Sequence, residues 1–474
     1  MAKIDRKLTF GVIVGTRGFF SSALAAEGRK VLLAKLKALG YNAVILPRAA
    51  TPTGAVETLD DAAKCAALFS ENRARIDGVI VALPNFGDEL GVVNTLAQAR
   101  LGVPVLVQAS DDELDKVDTA HRRDSFCGKL SVCNNLYQYG IPFTDTSTHT
   151  LALESDAFTR DLDFFGRVCR VVRGLRSARI GAVGARPGAF QTMRVSEKLL
   201  QAAGITVVTV DLSEIIGAAG RLADGDRAVK AKANQIADYG RIEKGIGQDL
   251  ILRQARLSVT LDRWVADNGI DAAAVQCWTS IQQNYGCAAC LSMSLLGERL
   301  IPAACEVDVN GVVSMYALVL ASGNPAALLD WNNNYGDDRD KCVSTHCSSY
   351  PRGFIAADIE IGTLAVLGNS LGKEKCFGGI KGKVAAGPMT YFRISNDDVR
   401  GRIRAYVGDA EFTDDPFDMD GGIAVCRVPN LQRLMKFMCR GGFEHHVGMA
   451  RGASAAVISE AVRTYLGWDL YVHE

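Results

Sequence analysis

Short apolar runs at 8–14, 42–47, 78–83 and 103–108 alternate with Ala- and Leu-rich stretches over the first 110 residues. Runs of that length bounded by turn residues predict buried strands, and the stretches between them predict helices. The alternation is that of βαβ units, so a parallel, doubly wound sheet is expected. A second cycle opens at Arg179-Ile-Gly-Ala-Val (179–183), passes a helix, reaches Ile205-Thr-Val-Val-Thr-Val (205–210) and continues to a strand at 272–278. The helical stretch near 156–175 is the expected hinge between the two cycles. After about residue 345 the pattern changes to short, Gly-bounded, β-like segments such as 382–387, 389–394 and 404–408, closing on an Ala-rich helix near 453–466. The expected fold is therefore α/β: two doubly wound, Rossmann-like parallel-sheet domains (1–168 and 169–343) followed by a smaller β-rich C-terminal domain (344–474).

Length and composition narrow this picture. A chain of 474 residues is too long for one core and predicts two or three domains. Lys+Arg and Asp+Glu are equal at 53 each, with no basic block, which argues against a nucleic-acid partner and against an anionic membrane surface. No apolar stretch approaches the ~20 residues that span a bilayer. The first residues, Met-Ala-Lys-Ile-Asp-Arg-Lys, lack the apolar core of an export signal. Thirteen cysteines, an odd number scattered along the chain, predict reduced thiols and a cytoplasmic location. Cys287-Ala-Ala-Cys290 has no second pair at zinc-ribbon distance and reads as buried core thiols.

Candidate chemistry is concentrated in a few places. The Gly-rich turns at 15–20 and 181–188 follow strands but do not match GxGxxG, so they read as tight βα turns rather than a nucleotide site. Arg17, Gln276 and Trp278 stand at the carboxyl ends of predicted parallel strands, where open α/β sheets collect ligands. Two acids sit directly after small or apolar residues: Glu306 in Cys-Glu-Val-Asp-Val-Asn-Gly and Asp330 in Leu-Leu-Asp-Trp-Asn-Asn-Asn. A buried carboxylate must be paired, neutralised or bound to a cation. Alternation places Glu306 and Asp308 on one face of a strand, which equally suits a wet edge strand. Asp330 equally suits a helix cap followed by a turn. Only six histidines are present, yet His346 and the run Glu444-His445-His446 complete an acid–imidazole set of the kind that binds divalent metals. Adjacent side chains on a strand point oppositely, so one of the paired histidines is expected to enter the site.

Together these segments resemble the L-fucose/L-arabinose isomerase superfamily, through Gly-Thr-Arg-Gly-Phe-Phe after the first strand, Cys-Glu-Val-Asp-Val-Asn-Gly, Asp-Trp-Asn-Asn-Asn, Thr-His-Cys and Glu-His-His. In fucose isomerases a glutamate, an aspartate and a C-terminal histidine bind Mn²⁺, and Glu306, Asp330 and one of the paired histidines match them. Arabinose isomerases add a mid-chain histidine and carry their last ligand in a His-His pair, which matches His346 and favours His446 over His445. The chain combines the fucose-type aspartate with the arabinose-type pair, so the resemblance specifies the reaction more narrowly than the sugar.

The resemblance implies a metal-dependent aldose–ketose isomerase working through a cis-enediol, with Mn²⁺ as cofactor and Co²⁺ or Mg²⁺ as substitutes. Glu306 and Asp330 would serve both as metal ligands and as the proton-carrying groups, with His446 and His346 completing coordination. Arg17, Gln276, Trp278, His445 and Glu444 would bind the sugar. The enzyme is expected to be a homo-oligomer, a hexamer or related assembly, with active sites at subunit interfaces. Arabinose and a 6-sulfonated hexose such as sulfoquinovose are alternative substrates; a sulfonate needs a cation, for which Arg17, Arg186 and Arg393 are candidates. A non-catalytic, two-lobed sugar-binding protein is the alternative of another class, and it has no need of two acids and paired histidines.

Overall fold

The computed structural model describes residue 4 and residues 6–347, 349–357 and 359–474. The chain divides into two compact units, one formed by Asp5–Arg173 with Glu460–Gly467 and the other mainly by Gly174–Ser459 with Trp468–Glu474.

The N-terminal unit holds a five-stranded parallel sheet in the order Asn42–Ile45, Thr9–Val14, Gly78–Leu83, Val105–Ala109, Thr144–Asp145. Every position of Thr9–Val14 and Gly78–Leu83 is buried, as expected for strands covered by helices on both faces. One face packs Phe69 and Val132, the other Leu32 and Phe165. The helix Leu59–Glu71 begins with a reciprocal cap, in which the Thr58 hydroxyl accepts from the Asp61 N–H and the Asp61 carboxylate accepts from the Thr58 N–H. The last helical segment of the chain returns to this unit. Its Tyr465 hydroxyl lies 2.6 Å from Thr144 Oγ1 and donates to the Val105 carbonyl at 3.2 Å.

The larger unit contains a four-stranded parallel sheet, in the order Ala303–Ala304, Ala272–Val275, Arg179–Val183, Thr206–Val210, and an eleven-stranded mixed sheet. Of the β-like segments expected after 345, 389–394 and 404–408 lie in the strands Gly387–Asp397 and Arg402–Thr413, whereas 382–387 runs from the end of the strand Phe377–Lys383 across the connection to the next strand. They do not form a separate body. The strand Ala326–Asp330 pairs with His446–Arg451 in the same sheet, and Leu329, Tyr391 and Met449 share one core with Ile236 and Val259. The expected boundary at 343/344 is therefore crossed by continuous sheet and core. The expected boundary at 168/169 falls inside the helix Asp156–Leu175, and the division between the units lies near that helix's C-terminal end, after Arg173.

The helix Val309–Ser322, Val-Asn-Gly-Val-Val-Ser-Met-Tyr-Ala-Leu-Val-Leu-Ala-Ser, is buried along its length up to Ala321. A helix apolar on every side belongs in an interior. It lies so close to the strand His446–Arg451 that a Cβ on Gly448 would approach the Met315 nitrogen to 3.1 Å. Glycine at 448 is what permits that approach.

Candidate metal centre

Register brings the first pair of candidate ligands together. In the antiparallel ladder of Ala326–Asp330 with His446–Arg451, Asp330 lies directly opposite His446. Asp330 therefore ends a strand and is not a helix cap. His346 ends the strand Asp338–His346, opposite Gly422, whose missing side chain leaves room for the Tyr350 ring.

Glu306 arrives by a different route. The strand expected from the alternation around Glu306 and Asp308 stops at Ala304, because Glu306 and Val307 adopt left-handed backbone angles, with φ of 61° and 55°. Non-glycine residues in that region, and a β-branched one above all, cost on the order of 1–3 kcal/mol each and persist where the surroundings dictate them. Asp308 then caps the helix Val309–Ser322, its Oδ1 accepting from the Gly311 N–H at 2.8 Å. Glu306 and Asp308 consequently do not share a strand face. Glu306 points to the cluster, and Asp308 supports it from behind.

Four acceptor atoms converge. His446 Nε2 is 3.0 Å from Glu306 Oε2, 3.5 Å from Asp330 Oδ1 and 3.1 Å from His346 Nε2. His346 Nε2 is 3.8 Å from Glu306 Oε2 and 3.9 Å from Asp330 Oδ1. Glu306 Oε2 and Asp330 Oδ1 are buried with no hydrogen-bond partner. Leaving such oxygens unsatisfied costs several kcal/mol in an apolar interior. A proton bridges one of these contacts, whereas a divalent cation satisfies all four atoms, so the donor set fits a metal. Two ligand groups emerge among the described residues, Glu306–His346–His446 and Asp330–His445–His446, each with its ligand atoms within 4.8 Å of one another.

Behind His446 runs a chain of charges. His446 Nδ1 lies 2.9 Å from Asp308 Oδ2. Arg393 grips Asp308 with two nitrogens, at 2.5 and 3.2 Å, and reaches Glu444 at 3.4 Å; Ser395 donates to Glu444 at 3.0 Å. Arg393 is fully buried. Burial by itself raises the carboxyl pKa of Asp308, but Arg393 and His446 outweigh it and hold the group well below the usual range. Burial likewise opposes ionisation of Glu306, and the adjacent His346 and His446 outweigh it, so this carboxyl too is held well below its usual range. His446, disfavoured as a cation by burial, is raised by Asp308 and Glu306; His346 is raised well above its ordinary value, mainly by Cys347, Asp330 and Glu306 against burial. Burial and the neighbouring His446 lower His445.

The sugar-binding candidates separate in this geometry. The Trp278 indole N–H donates to Glu306 Oε1 at 3.0 Å, and its ring meets Phe190 edge-on at 5.3 Å. Trp278 therefore orients a candidate ligand. The Gln276 side-chain oxygen accepts from the Ala185 N–H at 2.9 Å and holds the glycine-rich turn. Glu444 is occupied by Arg393 and Ser395 and is not open to a sugar. Arg393, one candidate for a sulfonate, is closed off by two carboxylates. His445 is exposed, yet a nitrogen of its ring lies within 4.8 Å of ligand atoms of Asp330 and His446, so it borders the cluster to which His446 belongs. Arg17 belongs to the N-terminal unit, where it pairs with Asp88 and Glu89 and lies 4.0 Å over the Phe86 ring. Sequence reasoning missed Phe190, the buried Asp308–Arg393 pair as a support, and Cys347, whose thiol lies 3.7 Å from Glu306 Oε1. The one local signal for the support was the acid two residues after Glu306.

A cavity of about 270 Å³ adjoins Glu306 and is walled by Trp278, Leu364, Val366, Leu367 and three cysteines. Residues 11–176 match the fucose/sulfoquinovose isomerase N-terminal domain, and residues 344–473 match the L-fucose isomerase C-terminal domain. The chain belongs to the fucose isomerase-like superfamily. The sulfoquinovose isomerases of Priestia aryabhattai and Priestia megaterium are each 24% identical to it over 388 residues, covering 80% of this chain and 81% of theirs. That of Clostridium sp. (strain MSTE9) is 30% identical over 208 residues, covering 43% and 45%. This superfamily member is an aldose–ketose isomerase acting on a sugar. Among its described residues no helix is long and apolar enough to cross a membrane.

Proposed function

We propose that this isomerase uses a divalent metal, Mn²⁺ foremost with Co²⁺ or Mg²⁺ as substitutes, held by Glu306, Asp330, His346 and His446. The observation that carries the reading is the convergence of four acceptor atoms, two of them buried carboxylate oxygens without a donor. A divalent ion there supplies Lewis-acid stabilisation of the negative charge that develops on the two sugar oxygens. The proton between C1 and C2 is carried by a carboxylate, Glu306 or Asp330, through a cis-enediol. Trp278 fixes the Glu306 carboxylate, and Phe190 and His445 flank the cluster, offering apolar ring surface to a sugar's C–H face.

We infer a six-carbon aldose altered at C6. The curated relatives favour sulfoquinovose. A specific observation favours a 6-deoxy sugar of the fucose type instead: the cavity beside Glu306 is lined by Leu364, Val366 and Leu367 and by no Lys or Arg. A sulfonate would draw its cation from outside that wall, from Arg186 or, across a subunit boundary, Arg17. The reading includes a cytoplasmic homo-oligomer with its sites completed at subunit interfaces.

The test is Glu306→Gln and Asp330→Asn, with bound Mn²⁺ and aldose–ketose conversion measured on sulfoquinovose, L-fucose, L-arabinose and D-arabinose. Loss of both metal and conversion is the expected result. Variants that keep metal and full activity overturn the assignment, and conversion of L-fucose without sulfoquinovose selects the apolar reading.

A further inference from the structure

Four cysteines from separate segments gather on one side of Glu306. Cys277 follows the strand Ala272–Val275, Cys290 opens the helix Cys290–Glu298, Cys305 directly precedes Glu306, and Cys347 directly follows His346. The Cys305 thiol interacts with the thiols of the other three. Cys347 also faces the carboxylate, 3.7 Å from Glu306 Oε1, and the Cys290 thiol donates to the Cys347 carbonyl at 2.8 Å. Cys277, Cys290 and Cys347 line the cavity beside Glu306, and of these only Cys347 is partly exposed rather than buried. Cys305 is fully buried, while Cys347 is only partly so. No step of the isomerisation needs a thiol.

We propose that Cys347 and Cys305 form an oxidisable dithiol whose closure to a disulfide displaces Glu306. Cys347 is the sulfur nearest solvent of the two, and its thiolate attacks the O–O bond of a hydroperoxide. With hydrogen peroxide, Cys347 becomes a sulfenic acid and hydroxide leaves, taking the thiol proton to form water. Cys305 then attacks the sulfenic sulfur, the S–S bond forms, and a second water departs. Two thiols lose two electrons in all, and one peroxide is reduced to two waters. The consequence for Glu306 has two sources. The Cys347 S–H disappears from beside Oε1, and Cys305 is drawn towards Cys347 immediately before two residues held in left-handed backbone angles. Those angles survive only while their surroundings impose them.

The effect on metal rests on the metal reading, but the dithiol itself is read independently of it. Purified protein is treated with hydrogen peroxide, digested without reductant, and its crosslinked peptides identified by mass. The expected product joins Cys305 to Cys347, is reversed by dithiothreitol, and lowers Mn²⁺ affinity by about tenfold. Cys305→Ser is expected to abolish the crosslink and leave Cys347 as a sulfenic acid that dimedone captures. Oxidation confined to the exposed Cys127 and Cys439, or a disulfide from Cys305 to Cys277 or Cys290, overturns the assignment. So does a Cys305–Cys347 disulfide formed in metal-loaded protein without loss of Mn²⁺. A protein that forms this disulfide but never binds Mn²⁺ refutes the metal reading and leaves the dithiol standing. Mapping on the unaltered chain decides the pairing even where a variant fails to fold.

Discussion

His446 donates its Nδ1 proton to Asp308 Oδ2 across 2.9 Å, and this bond turns the lone pair of Nε2 towards Glu306, His346 and Asp330. Asp308 stays ionised because Arg393 lies against it, so the proton resides on the ring. A carboxylate behind a ligating imidazole fixes both its tautomer and its orientation.

Asp308→Asn reverses that bond, since the amide donates where the carboxylate accepted. The expected result is a roughly 10- to 100-fold loss of Mn²⁺ affinity, measured by calorimetry or by Mn²⁺ resonance. Unchanged affinity would mean that the ring needs no such support.

Arg393→Met leaves Asp308 and Glu444 buried without their cation. Removing one partner of a buried ion pair costs about 3–5 kcal/mol. The urea midpoint is expected to fall accordingly, with a slope that stays constant if folding remains two-state. Lys30 and Glu27 form an exposed pair at 3.3 Å, and a fall smaller than that of Lys30→Met contradicts the role given to Arg393.

Gly311→Ala inverts an ordinary sign. Alanine in a helix interior usually gains about 1 kcal/mol over glycine, but a Cβ at 311 would lie 2.4 Å from Asp308 Oδ2 and 2.9 Å from Arg393 Nη1. Destabilisation, together with weaker Mn²⁺ binding, is expected in thermal melts with and without metal. A stabilised variant would show that the Asp308–Arg393 pair has room to move.

Trp278→Phe deletes the indole donor to Glu306 Oε1. A hydrogen bond to a charged group contributes about 1.5–3 kcal/mol, so kcat/KM is expected to fall by about ten- to one-hundredfold while the metal stays bound. Kinetics on metal-saturated protein separate this from ligand loss. A variant that loses the ion as completely as Glu306→Gln contradicts an orienting role.

Dependence on pH has opposite signs with and without metal. In metal-free protein His346 and His446 are raised above the ordinary value of 6.5, so their contribution to stability is complete below that value and is lost as pH rises through the raised values. Glu306 and Asp308 are depressed; their contribution is present above the ordinary carboxylate range and is lost only in strong acid. A cation competes with protons for the two Nε2 lone pairs. The rise in Tm produced by saturating Mn²⁺ is therefore expected to grow from about pH 6 to about pH 8. A rise that is constant or shrinks over that span argues against imidazole ligation.

Local pattern sufficed for the parallel sheets, because fully apolar runs such as Thr9–Val14 and Gly78–Leu83 leave a doubly covered strand as the simplest outcome. It also sufficed to nominate Glu306, Asp330, His346 and His446, whose side-chain types are costly where they stand. It fails around Glu306 and Asp308, where strand-like alternation gives way to a left-handed turn that the packed surroundings impose. It also failed for the support of His446, because Asp308 and Arg393 are separated by 85 residues, and Asp308 and His446 by 138. No short window contains either pair. Glu444 shows the same limit: beside a histidine it looks like a ligand-binding acid, and the fold pairs it with Arg393 and Ser395.

The return of Glu460–Gly467 to the N-terminal unit bears on how the chain is made. Tyr465 bonds to Val105 across 360 residues of sequence. Residues up to Arg173 are synthesised before Glu460–Gly467, so their unit cannot complete its interior until that later segment has been made. Its own sheet is local in sequence and able to form early, so newly made chains would pass through a stage with the Tyr465 seat exposed. Removing residues 460–474 should therefore damage a sheet whose strands are made more than 300 residues earlier.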